Sequence, residues 1–179
     1  MTPEFLLTSL VVILLPGTGV LYTLAFGLGR GWRASVLAAL GCTLGILPHI
    51  AASIVGLAAL LHASALAFQI VKYLGVAYLL YMAWSIVREG GALQVGENSA
   101  PMAARKIVVT GFLINILNPK LSLFFLAFLP QFVPASATAP TGTMLALAAV
   151  FMALTFVVFV GYGAFAAAAR HYVISRPAV

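Results

Sequence analysis

Acidic residues are almost absent from this chain of 179 residues, which has only Glu4, Glu89 and Glu97. The stretches from 5 to 88 and from 98 to 179 contain no carboxylate side chain. Charged residues make up 7% of the chain and hydrophobic residues 64%. A soluble domain has too little interior for so many apolar side chains. The composition therefore excludes a soluble class and predicts a membrane protein.

Cysteine is equally scarce, since Cys42 is the only one and an intramolecular disulfide is excluded. The nine Lys and Arg residues give a formal charge of +6. They cluster between apolar runs, where they set membrane orientation. A nucleic-acid partner is therefore not expected.

Long apolar runs dominate what is there. A membrane span needs about 20 helical residues, and five segments meet that length, near 5–28, 35–60, 66–87, 107–130 and 142–169. The first segment is predicted to be a membrane span that is retained and not a cleaved signal peptide. It begins with Glu4 and has no basic N-terminal region, and its apolar run is longer than that of a signal peptide. We predict an all-α, polytopic transmembrane bundle whose surroundings are membrane lipids, with a flexible polar loop over 88–106.

The basic residues predict the orientation, because cytoplasmic loops carry the excess of Lys and Arg. With five spans, one side has at most Lys72. The other side has seven basic residues: Arg30, Arg33, Arg88, Arg105, Lys106, Arg170 and Arg176. We therefore expect an inner-membrane protein with its N-terminus outside and residues 170–179 in the cytoplasm.

Two prolines interrupt the first and fourth spans at similar depths. Pro16 and Pro119 each lie 11 or 12 residues into the span, about 17 Å deep at 1.5 Å per residue. Because the two spans run in opposite directions, these matched breaks are typical of an inverted repeat. Each proline frees the carbonyl four residues before it, on Val12 and Asn115. Lipid cannot satisfy those groups, so they must face protein, water or a substrate.

Polar side chains gather at the second break, where Asn115, Asn118 and Lys120 flank Pro119. A lysine at mid-helix costs about 3 kcal/mol or more in a membrane, which favours a functional role. The alternative is that Lys120 extends to the membrane surface while the asparagines bridge helices. For Pro16 and Gly17, a purely structural kink remains equally open.

These features, with others in the same order along the chain, resemble the LysE/RhtB-type amino-acid exporters. The motifs that carry the resemblance are Pro16-Gly17, Gly29-Arg30-Gly31, Gly41 and Gly45 leading to His49, Lys72-Tyr73-Leu74-Gly75, Ala77-Tyr78-Leu79-Leu80, Trp84, Gly111-Phe112, Asn115, Asn118-Pro119-Lys120, Phe124-Phe125 and Pro130-Gln131-Phe132.

The resemblance implies two inverted three-helix repeats and export of small amino acids, driven by the proton motive force. It divides the chain into a first repeat at 1–87, a cytoplasmic linker at 88–106 and a second repeat at 107–179. That second repeat looks truncated, because the family usually has a sixth helix. Either the chain is a shortened member of the family, or a partner subunit, in a possible homo-oligomer, completes the second repeat. Thr18 stands where the family usually has proline, which predicts a less rigid first break.

A substrate site is expected between the two breaks. The N–H groups of Gly17, Thr18 and Gly19 would bind the substrate carboxylate. The carbonyls of Val12 and Asn115 would bind the substrate ammonium. Lys120 would be a second carboxylate anchor or a titrating gate. The predicted substrate-binding residues are Pro16, Gly17, Thr18, Asn115, Asn118, Pro119 and Lys120. Because the spans lack acids, small neutral amino acids of the homoserine or threonine kind fit better than cationic ones.

Other candidates carry weaker chemistry. His49 is a candidate for proton coupling, although a packing histidine explains it as well. Cys42 and His49 alone make a poor metal signal, and Gly41 and Gly45 have the spacing of close helix packing. We expect no metal, no cofactor and no enzyme activity. A non-transporting or partner-dependent membrane subunit, or an exporter of another metabolite or a metal ion, remains as an alternative.

Overall fold

The computed structural model of the protein describes residues 2–61, the single positions 70, 73, 77 and 84, and residues 102–174. Side chains are described for residues 2–56, for the four single positions and for residues 102–170. This part of the chain is helical and has no strand. The predicted third span, 66–87, and residues 88–101 of the predicted linker lie outside the described residues, apart from those four positions, which are helical.

The first span is a broken helix, as the sequence predicts. Helix α1 runs over Pro3–Leu14 and α2 over Thr18–Arg30, and the two are bent by 56° at the break. The start of α1 is capped by the Thr2 hydroxyl, which accepts from the Phe5 N–H at 3.4 Å.

The second span follows after a sharp turn at Gly31, whose φ of 82° lies where side chains are rarely tolerated. Helix α3 covers Trp32–Leu44 and α4 covers Leu47–Leu61. Together they form a continuous candidate span over Trp32–Gly56.

The fourth predicted span is also broken. Helix α5 runs over Ala104–Ile116 and α6 over Pro119–Leu123, followed by a π-helical turn at Phe124–Phe128 and a 3₁₀ turn at Leu129–Phe132. The bend between the two parts is 53°. The last predicted span corresponds to α7, Pro140–Ile174.

By length and apolar composition, two helices of the described residues suit a membrane crossing, and up to four do if each bent pair is one span. Several large apolar side chains face outward, including Leu7, Val55, Val157 and Phe165. Such an exposed apolar surface is expected where the solvent is lipid. The all-helical membrane class is therefore supported, while the count of five spans stays a prediction.

Small residues let the helices approach closely around the breaks. A Cβ added to Gly41 on α3 would collide with the Val108 backbone of α5, and one on Gly45 would lie 2.7 Å from the Asn115 Cβ. Gly111 on α5 faces α3 in return, since a Cβ added there would lie 3.0 Å from the Ala38 carbonyl oxygen. The interpretation of Gly41 and Gly45 as a helix-packing pair is confirmed.

Candidate functional site

The first break is formed by the sequence Leu15-Pro16-Gly17. Pro16 cannot donate an N–H, and α1 ends at Leu14. Gly17 is extended, with φ −143° and ψ 179°, and precedes α2 without a side-chain cap. The first N–H groups of α2 therefore lack partners within their own helix.

The second break has its own cap. Asn118 is extended, and its side-chain oxygen accepts from the Lys120 backbone N–H at 3.1 Å. Pro119 takes the first helical position, where a missing N–H costs nothing. A polar cap and a proline thus restart the helix inside an apolar span.

Lys120 joins the second break to the first. Its Nζ donates to the carbonyl oxygen of Val12 at 3.0 Å and to that of Leu15 at 2.9 Å. The side chain is only 8% exposed. The alternative that Lys120 extends to the membrane surface is therefore wrong in this structure. The carbonyl freed by Pro16 is satisfied by this ammonium.

The other freed carbonyl has two partners, because the Asn115 carbonyl oxygen accepts from the Asn118 N–H at 3.0 Å and also contacts His49. The His49 Nε2 lies 2.9 Å from the Asn115 carbonyl oxygen, and its Nδ1 lies 3.2 Å from Ser122 Oγ. A carbonyl only accepts, so Nε2 carries a hydrogen here; in the neutral ring Nδ1 then accepts from the Ser122 hydroxyl. Buried His49 therefore supports the second break from α4.

The two asparagines tie the break to neighbouring backbone. Asn115 Nδ2 donates to the Cys42 carbonyl oxygen at 2.7 Å, and Asn118 Nδ2 lies 3.5 Å from Asn115 Oδ1. Asn115 therefore does bridge helices, as the alternative interpretation expected. That role does not compete with a site, because both asparagines also line a cavity.

A small cavity lies between the breaks. The space open to the centre of a water molecule is about 20 Å³, which is room for about one water. Its walls come from α1, α2, both sides of the second break and α7. They comprise Val12, Ile13, Gly17, Gly19, Val20, Asn115, Asn118, Lys120, Leu121, Phe151, Thr155 and Phe159.

The structure brings four of the predicted substrate residues to this cavity: Gly17, Asn115, Asn118 and Lys120. Pro16, Thr18 and Pro119 are exposed, shape the breaks and do not line the cavity. His49 lies behind the second break. The part that any of these residues plays in substrate binding stays a prediction.

Sequence reasoning missed the contribution of α7. Phe151, Thr155 and Phe159 are spaced four apart, so they share one face of that helix and line the cavity. Thr155 is buried and donates to the Phe151 carbonyl at 2.8 Å. The available signal was the Thr155 hydroxyl in the middle of a long apolar run.

The described residues include no cluster of three or more His, Cys, Asp or Glu side chains that would hold a metal ion. The two carbonyls that were predicted to hold a substrate ammonium have side-chain partners in this structure, Lys120 on Val12 and His49 on Asn115. Binding of a substrate ammonium at these carbonyls stays a prediction.

Comparison with known proteins agrees with a membrane transporter. A relative in Vibrio cholerae serotype O1, described as an uncharacterized membrane protein, is 33% identical over 172 residues, covering 96% of this chain and 83% of that protein. A leucine efflux protein of Enterobacter sp. (strain 638) is 32% identical over 168 residues, covering 88% and 77%. No solved structure matches the chain.

A homoserine/homoserine lactone efflux protein of Salmonella typhimurium is 33% identical over 129 residues, covering 72% of this chain and 63% of that protein. The family model described as LysE type translocator matches residues 10–179. Two of the three relatives described here are named as efflux proteins. Since the family model covers nearly the whole length, the chain belongs to the LysE type translocator family.

Proposed function

We propose that this protein is a secondary transporter that exports small neutral amino acids, such as leucine or homoserine, from the cytoplasm. The observation that carries the proposal is the contact between the two helix breaks, where the Lys120 ammonium binds the Val12 and Leu15 carbonyls beside a cavity. A buried charge at a pair of broken membrane helices is typical of a transport site.

The first break supplies a place for the substrate carboxylate. Gly17 and Gly19 line the cavity at the N-terminus of α2, where unpaired N–H groups and the helix dipole favour an anion. The nearby Lys120 ammonium adds positive charge. A carboxylate between them would gain hydrogen bonds from both breaks.

The charge and lining of the site favour a neutral substrate. Glu4 is the only acid within residues 2–61 and 102–174, and it is exposed at the start of α1. A cationic side chain would therefore lack a carboxylate partner. The apolar wall of Val20, Phe151 and Phe159 suits a short aliphatic side chain.

The cavity must widen during transport. A space for about one water cannot hold an amino acid, so the site is too narrow for the substrate in this conformation. The bends of 56° and 53° lie next to the cavity. Changes of angle at these breaks would open the site to one side of the membrane at a time.

Matching bends in the first and fourth spans support an inverted-repeat organisation. We place the first repeat at 1–87, a cytoplasmic linker at 88–106 and the second repeat at 107–179. A Cβ added to Gly31 would lie 3.8 Å from an Arg170 guanidinium nitrogen. The basic segment around Gly31, with Arg30 and Arg33, and the one at Arg170 therefore lie at the same end of the molecule. With that end in the cytoplasm, the N-terminus is outside.

His49 is the candidate for proton coupling, because it is buried at the second break.

Efflux from energised cells tests the proposal. Cells loaded with radiolabelled leucine, homoserine, threonine or lysine are compared with vector controls and with Asn118→Ala at matched expression. We expect faster export of the neutral amino acids only, and loss of that export in the variant. Export no faster than in vector cells would favour the non-transporting alternative, and selective export of lysine would contradict the charge argument.

A further inference from the structure

The ammonium of Lys120 occupies a pair of acceptors that does not belong to its own helix. The Val12 and Leu15 carbonyl oxygens lie on α1 and the first break, 108 and 105 positions away in sequence. Pro16 removes the N–H that would have bonded Val12 within the helix. The Val12 carbonyl therefore has no donor from its own helix, and Lys120 binds it together with the carbonyl of Leu15 at the break.

Two convergent carbonyl oxygens form a binding site for a primary ammonium. Such a group has three N–H donors and a full positive charge, and hydrogen bonds to a charged donor are stronger than those between neutral groups. Lys120 uses two donors on these carbonyls at 3.0 and 2.9 Å. In the described part of the chain no carboxylate contacts the Lys120 ammonium, so the dipoles of the two carbonyls stabilise its positive charge.

The location connects this acceptor pair with the proposed substrate. Val12, Gly17 and Lys120 all line the same cavity, and a Cβ on Gly17 would lie 3.2 Å from Lys120 Nζ. An amino acid whose carboxylate lies at the start of α2 would bring its own ammonium to this region. Because both groups are primary ammonium ions, they would compete for the same two oxygens.

We infer that the Val12 and Leu15 carbonyls form a primary-ammonium subsite, which Lys120 fills in this conformation and which the amino group of the exported substrate takes when Lys120 leaves. Only the exchange of Lys120 for the substrate amino group rests on the proposed function. The existence of a subsite selective for primary ammonium ions is independent of transport. Lys120 then competes with the substrate amino group for these two carbonyls and occupies them when no substrate is bound.

Chemical rescue tests the subsite directly. Lys120→Ala removes three carbons and the ammonium, a fragment that corresponds to n-propylammonium. We expect purified Lys120→Ala to melt at a lower temperature than the wild type and to regain about 3 °C or more with n-propylammonium, because a ligand of the folded state raises the melting midpoint. Tetramethylammonium, a cation without N–H donors, should give no recovery.

Three matched proteins control for general effects of the amine. The wild type has its subsite filled, Lys120→Met keeps the side-chain volume without the charge, and Lys106→Ala removes an exposed lysine at the start of α5. None of them should gain stability from n-propylammonium. An equal gain in these controls, or none in Lys120→Ala, would overturn the subsite. If Lys120→Ala unfolds on extraction, n-propylammonium added beforehand should restore the folded fraction, and failure to do so overturns it equally.

Displacement tests the exchange with substrate. On Lys120→Ala, leucine should displace labelled n-propylammonium, whereas 4-methylpentanoate, the same molecule without the amino group, should not. Rescue without displacement by leucine would overturn the exchange step while leaving the subsite in place. Rescue and displacement in a protein that exports no amino acid would contradict the proposed function instead.

Discussion

The Lys120 ammonium nitrogen lies 2.9 Å from the Leu15 carbonyl oxygen, a contact that joins the break of one membrane helix to that of another. At each break a side chain from another helix binds a carbonyl that proline has freed. Lys120 supports the first, and His49 supports the second through the Asn115 carbonyl. Each of these contacts, and the close packing around them, has consequences that can be measured.

The close approach of Gly19 to the second break predicts a loss of export in Gly19→Ala. The added Cβ would lie 2.8 Å from Asn115 Oδ1 and 2.9 Å from Phe159 Cε2. Overpacking of this kind costs about 1–3 kcal/mol, and here the strain falls on cavity walls. Efflux rate at matched expression is the measurement. Gly29→Ala on the same helix has no heavy atom within 4 Å of its Cβ and should transport like the wild type; equal losses in both would contradict the account.

The helix-packing role of Gly41 predicts a stability defect instead. A Cβ there would meet the Val108 backbone, with its Cα 2.9 Å away, and backbone cannot move aside as a side chain can. Gly41→Ala should lower the melting temperature of the purified protein by several degrees. Gly161→Ala, whose Cβ meets nothing within 4 Å, serves as the control and should melt with the wild type.

The cap at Asn118 predicts different results for two replacements. Asn118→Ser keeps an oxygen that can accept from the Lys120 N–H, whereas Asn118→Ala loses the cap at about 1 kcal/mol and also loses a cavity wall. We expect export to be lost in the alanine variant and partly kept in the serine variant. Thr2→Ala removes a cap remote from the cavity, on α1. It should reduce stability without changing the substrate concentration for half-maximal export.

The contact between His49 and the Asn115 carbonyl predicts that one substitution can remove proton coupling while leucine binding and exchange are kept. His49→Gln keeps an N–H donor for the Asn115 carbonyl but cannot titrate. His49→Leu loses this hydrogen bond, at about 0.5–1.5 kcal/mol, and leaves the carbonyl with the Asn118 N–H as its partner. We expect His49→Gln to keep leucine counterflow in liposomes and to lose accumulation driven by a pH gradient, and His49→Leu to lose both. Accumulation by His49→Gln at the wild-type rate would show that His49 only supports the helix.

Local chemistry explains why much of the fold was predictable from sequence. Apolar runs of sufficient length predicted the helices, and the bonding defects at Pro16 and Pro119 predicted both breaks. The spacing of Gly41 and Gly45 predicted close packing. Each of these signals is contained in a few neighbouring residues.

The partners across the site could not be predicted in the same way. The bond between Lys120 and Val12 joins residues 108 positions apart, and no local pattern specifies which side chain reaches which carbonyl. The side chains from α7 were missed for the same reason, since Phe151 and Phe159 look like ordinary apolar residues of a membrane helix. Residues 66–87, predicted as the third span, lie outside the described residues, apart from the helical positions 70, 73, 77 and 84.

Leucine counterflow in proteoliposomes tests the central claim most directly. Purified wild-type protein, Lys120→Met and Lys106→Met are reconstituted with unlabelled leucine inside, and uptake of labelled leucine is followed over time. We expect counterflow by the wild type and by Lys106→Met and its loss in Lys120→Met, because the Lys120 ammonium connects the two breaks. Counterflow by Lys120→Met at the wild-type rate would contradict a transport site at these breaks.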